Sequence, residues 1–159
     1  MVEQRKDRRK IIGLAVAAAT AIAIPAEGLR QYAYRDPVGI LTTCYGSTMD
    51  VQTGKRYSIE ECKARLDGDM LQAVEQVERC HPGLPVEVLA AFGDAVYNMG
   101  PTVACNSTAS RLLSYGDIKG ACGQLTRWSY AKVAGVSVKL PGLVKRREAE
   151  RQLCLRGAV

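Results

Sequence analysis

The chain of 159 residues holds one histidine, His81, and none of its six cysteines is arranged as Cys-x-x-Cys. Zinc is bound by closely spaced Cys and His ligands, so no metal site is expected. Aromatic residues make up only 6%, and the basic residues are scattered. Neither the basic stripe nor the stacking platform of a nucleic-acid binder is present, and no nucleic-acid partner is expected. No repeat, low-complexity tract or linker divides residues 27–159. Charge is missing altogether from Ile11 to Ala26.

What is there describes one ordinary domain. A hydrophobic content of 47% and a charged content of 24% exclude disordered and collagen-like classes. A chain of this size buries about two-thirds of its extended surface, enough for a single core. The net charge of +6 favours anionic partners such as nucleic acid, acidic lipid or a cell wall without choosing among them. Cys44, Cys62, Cys80, Cys105, Cys122 and Cys154 form an even set, which reads as three bridges in an oxidising compartment. Fifteen connectivities are possible, and the sequence does not resolve them. The pairing carried forward as an expectation is 44 with 62, 80 with 105 and 122 with 154.

Arg5, Lys6, Arg8, Arg9 and Lys10 precede the uncharged run IIGLAVAAATAIAIPA. Basic residues ahead of an apolar segment hold the N-terminus inside and send the rest outward. Sixteen helical residues span about 24 Å, short of the roughly 30 Å hydrocarbon core, so the run is a marginal permanent anchor. Three readings stand: a signal peptide cleaved at Ala-x-Ala (Ala19 to Ala21 or Ala21 to Ala23), a signal anchor that leaves the bilayer, and a buried core helix. The bare sequence favours the first.

Beyond it, the Tyr-, Thr-, Val- and Gly-rich stretch from Tyr32 to Tyr57 predicts a small β-hairpin region with turns at Asp36-Pro37 and Gly39. Ser58 and Glu61 form a capping box ahead of a helix running to Arg79. A buried helix is predicted from Pro85 to Met99, stopped by Gly100-Pro101, and shorter ones at Ser107 to Ser114 and Asp117 to Trp128. A last helix is predicted from Pro141 to Leu155. The class is α+β, mostly helical.

Cleaving a glycosidic bond requires one protonated carboxyl to serve the leaving oxygen and one carboxylate to direct water or attack the sugar. Glu27, expected on a short helix, and Asp36, at the turn into the hairpin, are candidates. The words Glu27-Gly28-Leu29-Arg30 through Tyr34-x-Asp36-x-x-Gly39-x-x-Thr42 resemble the phage-type lysozymes of glycoside hydrolase family 24. So do Cys44-Tyr45-Gly46-Ser47-Thr48, Tyr97-Asn98-Met99-Gly100, Arg127-Trp128 and Leu140 through Glu148. The likeness spans residues 27–159; one departure is Ser47, where many relatives carry histidine.

The resemblance implies a lysozyme-like fold, with a small β-hairpin lobe and a larger helical lobe, acting on peptidoglycan. It implies that Glu27 is the general acid, kept protonated by partial burial or a neighbouring negative charge. Asp36, helped by Thr42, would position the attacking water in an inverting reaction without metal or cofactor. Asn98 would hydrogen-bond the sugar chain, while Arg146 and Arg147 would either brace carboxylates or form a solvated basic face. Trp128 is expected in the core and His81 in a loop.

The same resemblance bears on the N-terminus. Cleavage after Ala23 would strip Glu27 of its supporting turn, which favours a releasable anchor, as in signal-anchor-release endolysins. Residues 1–26 are then the anchor segment and 27–159 the catalytic domain. The protein would be exported, tethered inactive to the inner membrane and released to the periplasm as a monomer, in dependence on a holin or pinholin. A non-catalytic peptidoglycan-binding protein is the competing reading, and it would not need Glu27.

Overall fold

In the computed structural model, which describes residues 1–159, the apolar run is the middle of one long helix, α1 (Val2–Glu27). The alanine-rich stretch has high helix propensity, and the basic residues before it extend the helix to the N-terminus. Pro25 lies in the last turn, and Gly28, at φ 71°, ends the helix. Glu27 is therefore the final residue of a 26-residue helix, not a member of the short one expected. One face of α1 carries Ala15, Ala19 and Ala23, all fully buried. Their spacing of four residues places them in a single row, and the missing side-chain bulk lets α1 approach α3 and α2.

The hairpin follows as β1 (Arg30–Arg35) and β2 (Leu41–Cys44), paired antiparallel with Tyr34 opposite Thr42. Next comes α2 (Ile59–Cys80), whose N-cap Ser58 accepts a hydrogen bond from the Glu61 N–H, as the capping box requires. The helix α3 (Val86–Met99) is the centre of the helical lobe, with Val88 through Phe92 and Ala95 fully buried. A side-chain carbon at Gly93 would stand 2.6 Å from Val74 Cγ2, so glycine sets how closely α2 and α3 approach.

Short helices α4 (Thr102–Cys105), α5 (Thr108–Ser114) and α6 (Ile118–Gln124) lead into a 3₁₀ turn at Leu125–Arg127. The helix expected over residues 117–128 is thus divided. A second hairpin, absent from the sequence reading, is formed by β3 (Tyr130–Val133) and β4 (Val136–Lys139). It turns at Ala134 (φ 50°) and Gly135 (φ 82°), the pair of left-handed residues that suits a two-residue turn. Finally α7 (Pro141–Arg156) starts with proline in its first turn.

The cysteines pair as Cys44–Cys62, Cys80–Cys105 and Cys122–Cys154. They tie the first hairpin to α2, α2 to α4, and α6 to α7. His81 lies in the loop that follows α2, as expected, and is buried there; its Nε2 is 2.8 Å from the Ala104 carbonyl and 3.0 Å from Ser110 Oγ. Trp128 packs against the core, as expected.

Candidate active site

Glu27 stands where four elements meet. It closes α1, and a helix C-terminus is the negative end of the helix dipole, a poor place for an unaccompanied carboxylate. Its companion is Arg146 of α7, whose Nη1 donates to Glu27 Oε1 at 2.6 Å. Glu27 is partly buried, with a side chain 23% exposed, which is the first of the two settings expected; its charged neighbour is a cation, so the second, an adjacent negative group, is not the one found. The third element is the chain leaving β2. Gly46 adopts φ 90°, and a side-chain carbon there would lie 3.5 Å from Glu27 Oε2 and 3.6 Å from the Tyr97 hydroxyl. The fourth is α3, from which Tyr97 donates to the Tyr45 carbonyl at 2.5 Å. Burial first, then the negative charges of Glu27 and Asp69, push the Tyr97 hydroxyl far above its ordinary value, so it stays a donor.

Behind Glu27 lies a buried network. Arg146 donates from Nε to Asp94 Oδ2 at 2.9 Å and from Nη2 to Asp94 Oδ1 at 2.8 Å. Burial disfavours the Arg146 charge, yet Asp94 and Glu27 outweigh it and hold the guanidinium above its ordinary value. Arg147 is also fully buried and donates to Asn98 Oδ1 at 2.6 Å. Its Nη2 is 3.2 Å from Glu150 Oε1, but neither Glu150 oxygen receives an aligned N–H. Burial lowers Arg147. Burial, followed by the adjacent Asp94, raises Glu150 well above the carboxylate range. Both arginines are buried beside carboxylates and do not form a solvated face.

A cavity of about 730 Å³ opens at Glu27. Ala21, Ile22, Pro25 and Ala26 of α1 form one wall, Leu140 to Leu143 and Lys145 another, with Asn98 and Arg146 also lining it. Glu27, Asn98 and Arg146 are therefore together. Asp36 and Thr42 are not among the residues lining this cavity. Asp36 sits at the hairpin turn, where Oδ1 accepts from the Val38 and Ile40 N–H groups at 3.0 and 2.8 Å. Thr42 is 4% exposed in β2, and its hydroxyl donates to the Ile40 carbonyl at 2.9 Å. At the departure point, Ser47 Oγ accepts from Arg65 Nη1 at 3.1 Å. Burial raises the nearby Asp69 carboxyl, against the opposing effects of Ser47 and Arg65.

The family model for phage lysozyme matches residues 25–150, which include Glu27, Asp36, Thr42, Asp94, Asn98, Arg146, Arg147 and Glu150. The chain belongs to the phage lysozyme family. It is similar to the SAR-endolysin of Bacteriophage PS119, with 44% identity over 133 residues covering 82% of this chain and 77% of that one. Among solved structures, the active form of P1 phage endolysin Lyz superposes with a TM-score of 0.77 at 27% identity, covering 89% of this lysozyme and 85% of that chain. The muramidase domain of SpmX from Asticaccaulis excentricus gives 0.79 at 30% identity, covering 87% and 95%.

Sequence reasoning missed Asp94 and Glu150. Both were signalled by their setting, since each is an acid on a helix face otherwise occupied by core residues. Such acids are almost never fully buried unless paired.

Proposed function

We propose that this lysozyme is an endolysin that hydrolyses the β-1,4 bond between N-acetylmuramic acid and N-acetylglucosamine, with Glu27 as the general acid. The observation that carries this reading is the position of Glu27: partly buried, braced by Arg146, and on the wall of the large cavity. Asp36 takes the role of directing water for an inverting displacement. The turn N–H groups hold Oδ1 and leave Oδ2 without a protein partner. Thr42, opposite Tyr34 in the same hairpin, assists in orienting that water. Asn98 contributes its amide N–H to the sugar chain, because its Oδ1 is engaged by Arg147.

The deciding experiment is muropeptide analysis of purified peptidoglycan digested by the wild type and by Glu27→Gln. Reducing ends on muramic acid, lost in the folded variant, support the assignment. Equal digestion by both removes Glu27 from the mechanism.

Residues 1–26 serve as a membrane anchor before activation. Their helix is long and apolar enough to cross a bilayer, and the related proteins include SAR-endolysins. While α1 lies in the membrane, Ala15, Ala19 and Ala23 are withheld from the core and Glu27 is held away from Arg146. Loss of the membrane potential, by a holin or pinholin, removes the bias that keeps the basic end inside. Release then lets α1 dock in the arrangement seen here, as a periplasmic monomer. Depolarised cells that show no gain in periplasmic muramidase activity would sink this sequence of events.

A further inference from the structure

Arg146 makes three hydrogen bonds in one plane. A guanidinium is rigid and planar, and its Nε and one Nη form a fork matched to a carboxylate. Asp94 occupies that fork at 2.9 and 2.8 Å, which fixes the plane and leaves Nη1 pointing away toward Glu27, at 2.6 Å. The Asp94 side chain is wholly buried and that of Arg146 nearly so, so water does not replace either partner. The charged groups around them are Glu27 from α1, Asp94 from α3, and Arg147 and Glu150 from α7, with the Tyr97 hydroxyl from α3 beside Glu27, Lys145 of α7 on the same cavity wall and Asp69 of α2 acting on Tyr97.

We propose that Asp94 is a positioning residue for Glu27: it orients Arg146 and takes up part of the positive charge that would otherwise fall on the catalytic carboxyl. The proposal rests on the assignment of Glu27 as general acid. Behind Glu27, two buried arginines, Arg146 and Arg147, face the buried acids Asp94 and Glu150. Glu150 is held neutral, since neither of its oxygens receives an aligned N–H and burial beside Asp94 favours its protonated form; the proton that Glu27 needs as general acid is additional to this one. Asp94 is then the acid whose two oxygens fill the Arg146 fork.

The consequence is visible in a pH profile. A general acid works only while protonated, and activity falls on the alkaline side as it ionises. When Asp94 is neutralised, Arg146 favours the ionised form of Glu27 more strongly, so the alkaline limb moves to lower pH. Because Glu150 can ionise in place of Asp94, the profile is read in Asp94→Asn combined with Glu150→Gln, against Glu150→Gln alone. Turnover on purified peptidoglycan falls on the order of tenfold to a hundredfold from the misplaced carboxyl, with KM little changed and the alkaline limb displaced downward.

If the double variant does not fold, Arg146→Lys supplies the second test. It keeps the charge but loses the fork, and it too lowers turnover more than it alters KM. A folded double variant with an unmoved pH profile overturns the proposal, whether its turnover is normal or reduced. So does a fully active Arg146→Lys. Full activity in Glu27→Gln is a different failure, because it removes the underlying assignment and leaves Asp94 with nothing to position.

Discussion

Arg8 and Glu78 are joined by two hydrogen bonds, from Nε at 3.0 Å and from Nη2 at 2.5 Å, while Arg8 Nη1 donates to the Leu84 carbonyl at 3.1 Å. The pair ties the basic end of α1 to the end of α2, beyond the alanine row that docks the middle of the helix. Its side chains are 27% and 20% exposed, so solvent screens part of the attraction, and the pair is worth about 1 kcal/mol or less. In a domain of this size Glu78→Gln should lower the melting temperature of the purified protein by about 2–4 °C or less. Reversal in Glu78→Arg should cost more. The combination of Arg8→Glu with Glu78→Arg should recover part of that loss in thermal melts.

Ala19 is fully buried and has no room for a larger group. Ala19→Leu should destabilise the docked helix by about 1–3 kcal/mol through overpacking. The same change makes the segment more apolar and so harder to withdraw from a bilayer. Fractionation of depolarised cells should find the variant retained in the membrane pellet, with lower activity in the periplasmic fraction. Release at the wild-type level would contradict the anchoring role of this segment.

Gly46 combines a left-handed backbone with a position against the catalytic candidate. Gly46→Ala should cost roughly 1–2 kcal/mol from the backbone alone. The added methyl group would stand in van der Waals contact with Glu27 Oε2 and the Tyr97 hydroxyl, so the backbone shift that relieves the strain is felt at Glu27 and should reduce turnover on the order of tenfold. Kinetics at a temperature well below the melting point separate the two effects. A variant of lower stability and unchanged turnover would show that the Gly46 contact does not constrain Glu27.

The raised Glu150 carboxyl has a stability signature of definite sign. In the unfolded chain this group ionises near the ordinary value of 4.5, while in the folded protein it holds its proton to much higher pH. The folded state therefore binds more protons than the unfolded state above about pH 4.5, and stability contributed by this group declines as pH rises. Gln at this position is neutral in both states and removes that decline. Glu150→Gln should gain stability relative to the wild type between pH 4 and pH 7, as read from melting temperatures at the two values. A constant difference would mean that Glu150 is ionised in the folded protein.

Much of the architecture was legible because it rests on local rules. Ser58 with Glu61, Gly100 after Met99 and Pro141 in the first turn of α7 each mark a helix end by chemistry confined to a few residues. The second hairpin escaped because Ala134-Gly135 lacks the Asn-Gly or Asp-Gly signature, although Tyr130–Val133 and Val136–Lys139 alternate around it. The length of α1 escaped because a charged N-terminal stretch joined to an apolar run reads as two regions, while the backbone has no reason to break between them. The site was legible through shared words, not through spacing. Glu27 and Arg146 lie 119 positions apart, and no periodicity connects them. The link through Asp94 is more remote still, since only packing brings α1, α3 and α7 to one point.

The cavity at Glu27 has an asymmetric ownership. Ala21, Ile22, Pro25 and Ala26 supply one wall, and all four lie within residues 1–26, the proposed anchor segment. A recombinant chain begun at Glu27 to improve solubility would lack that wall, the alanine row and the turn of helix that aims the carboxyl. Purification strategy and the proposed anchoring meet at this point: the stretch that would hold the protein in the membrane also walls the cavity at Glu27, so trimming it for the one purpose removes it for the other.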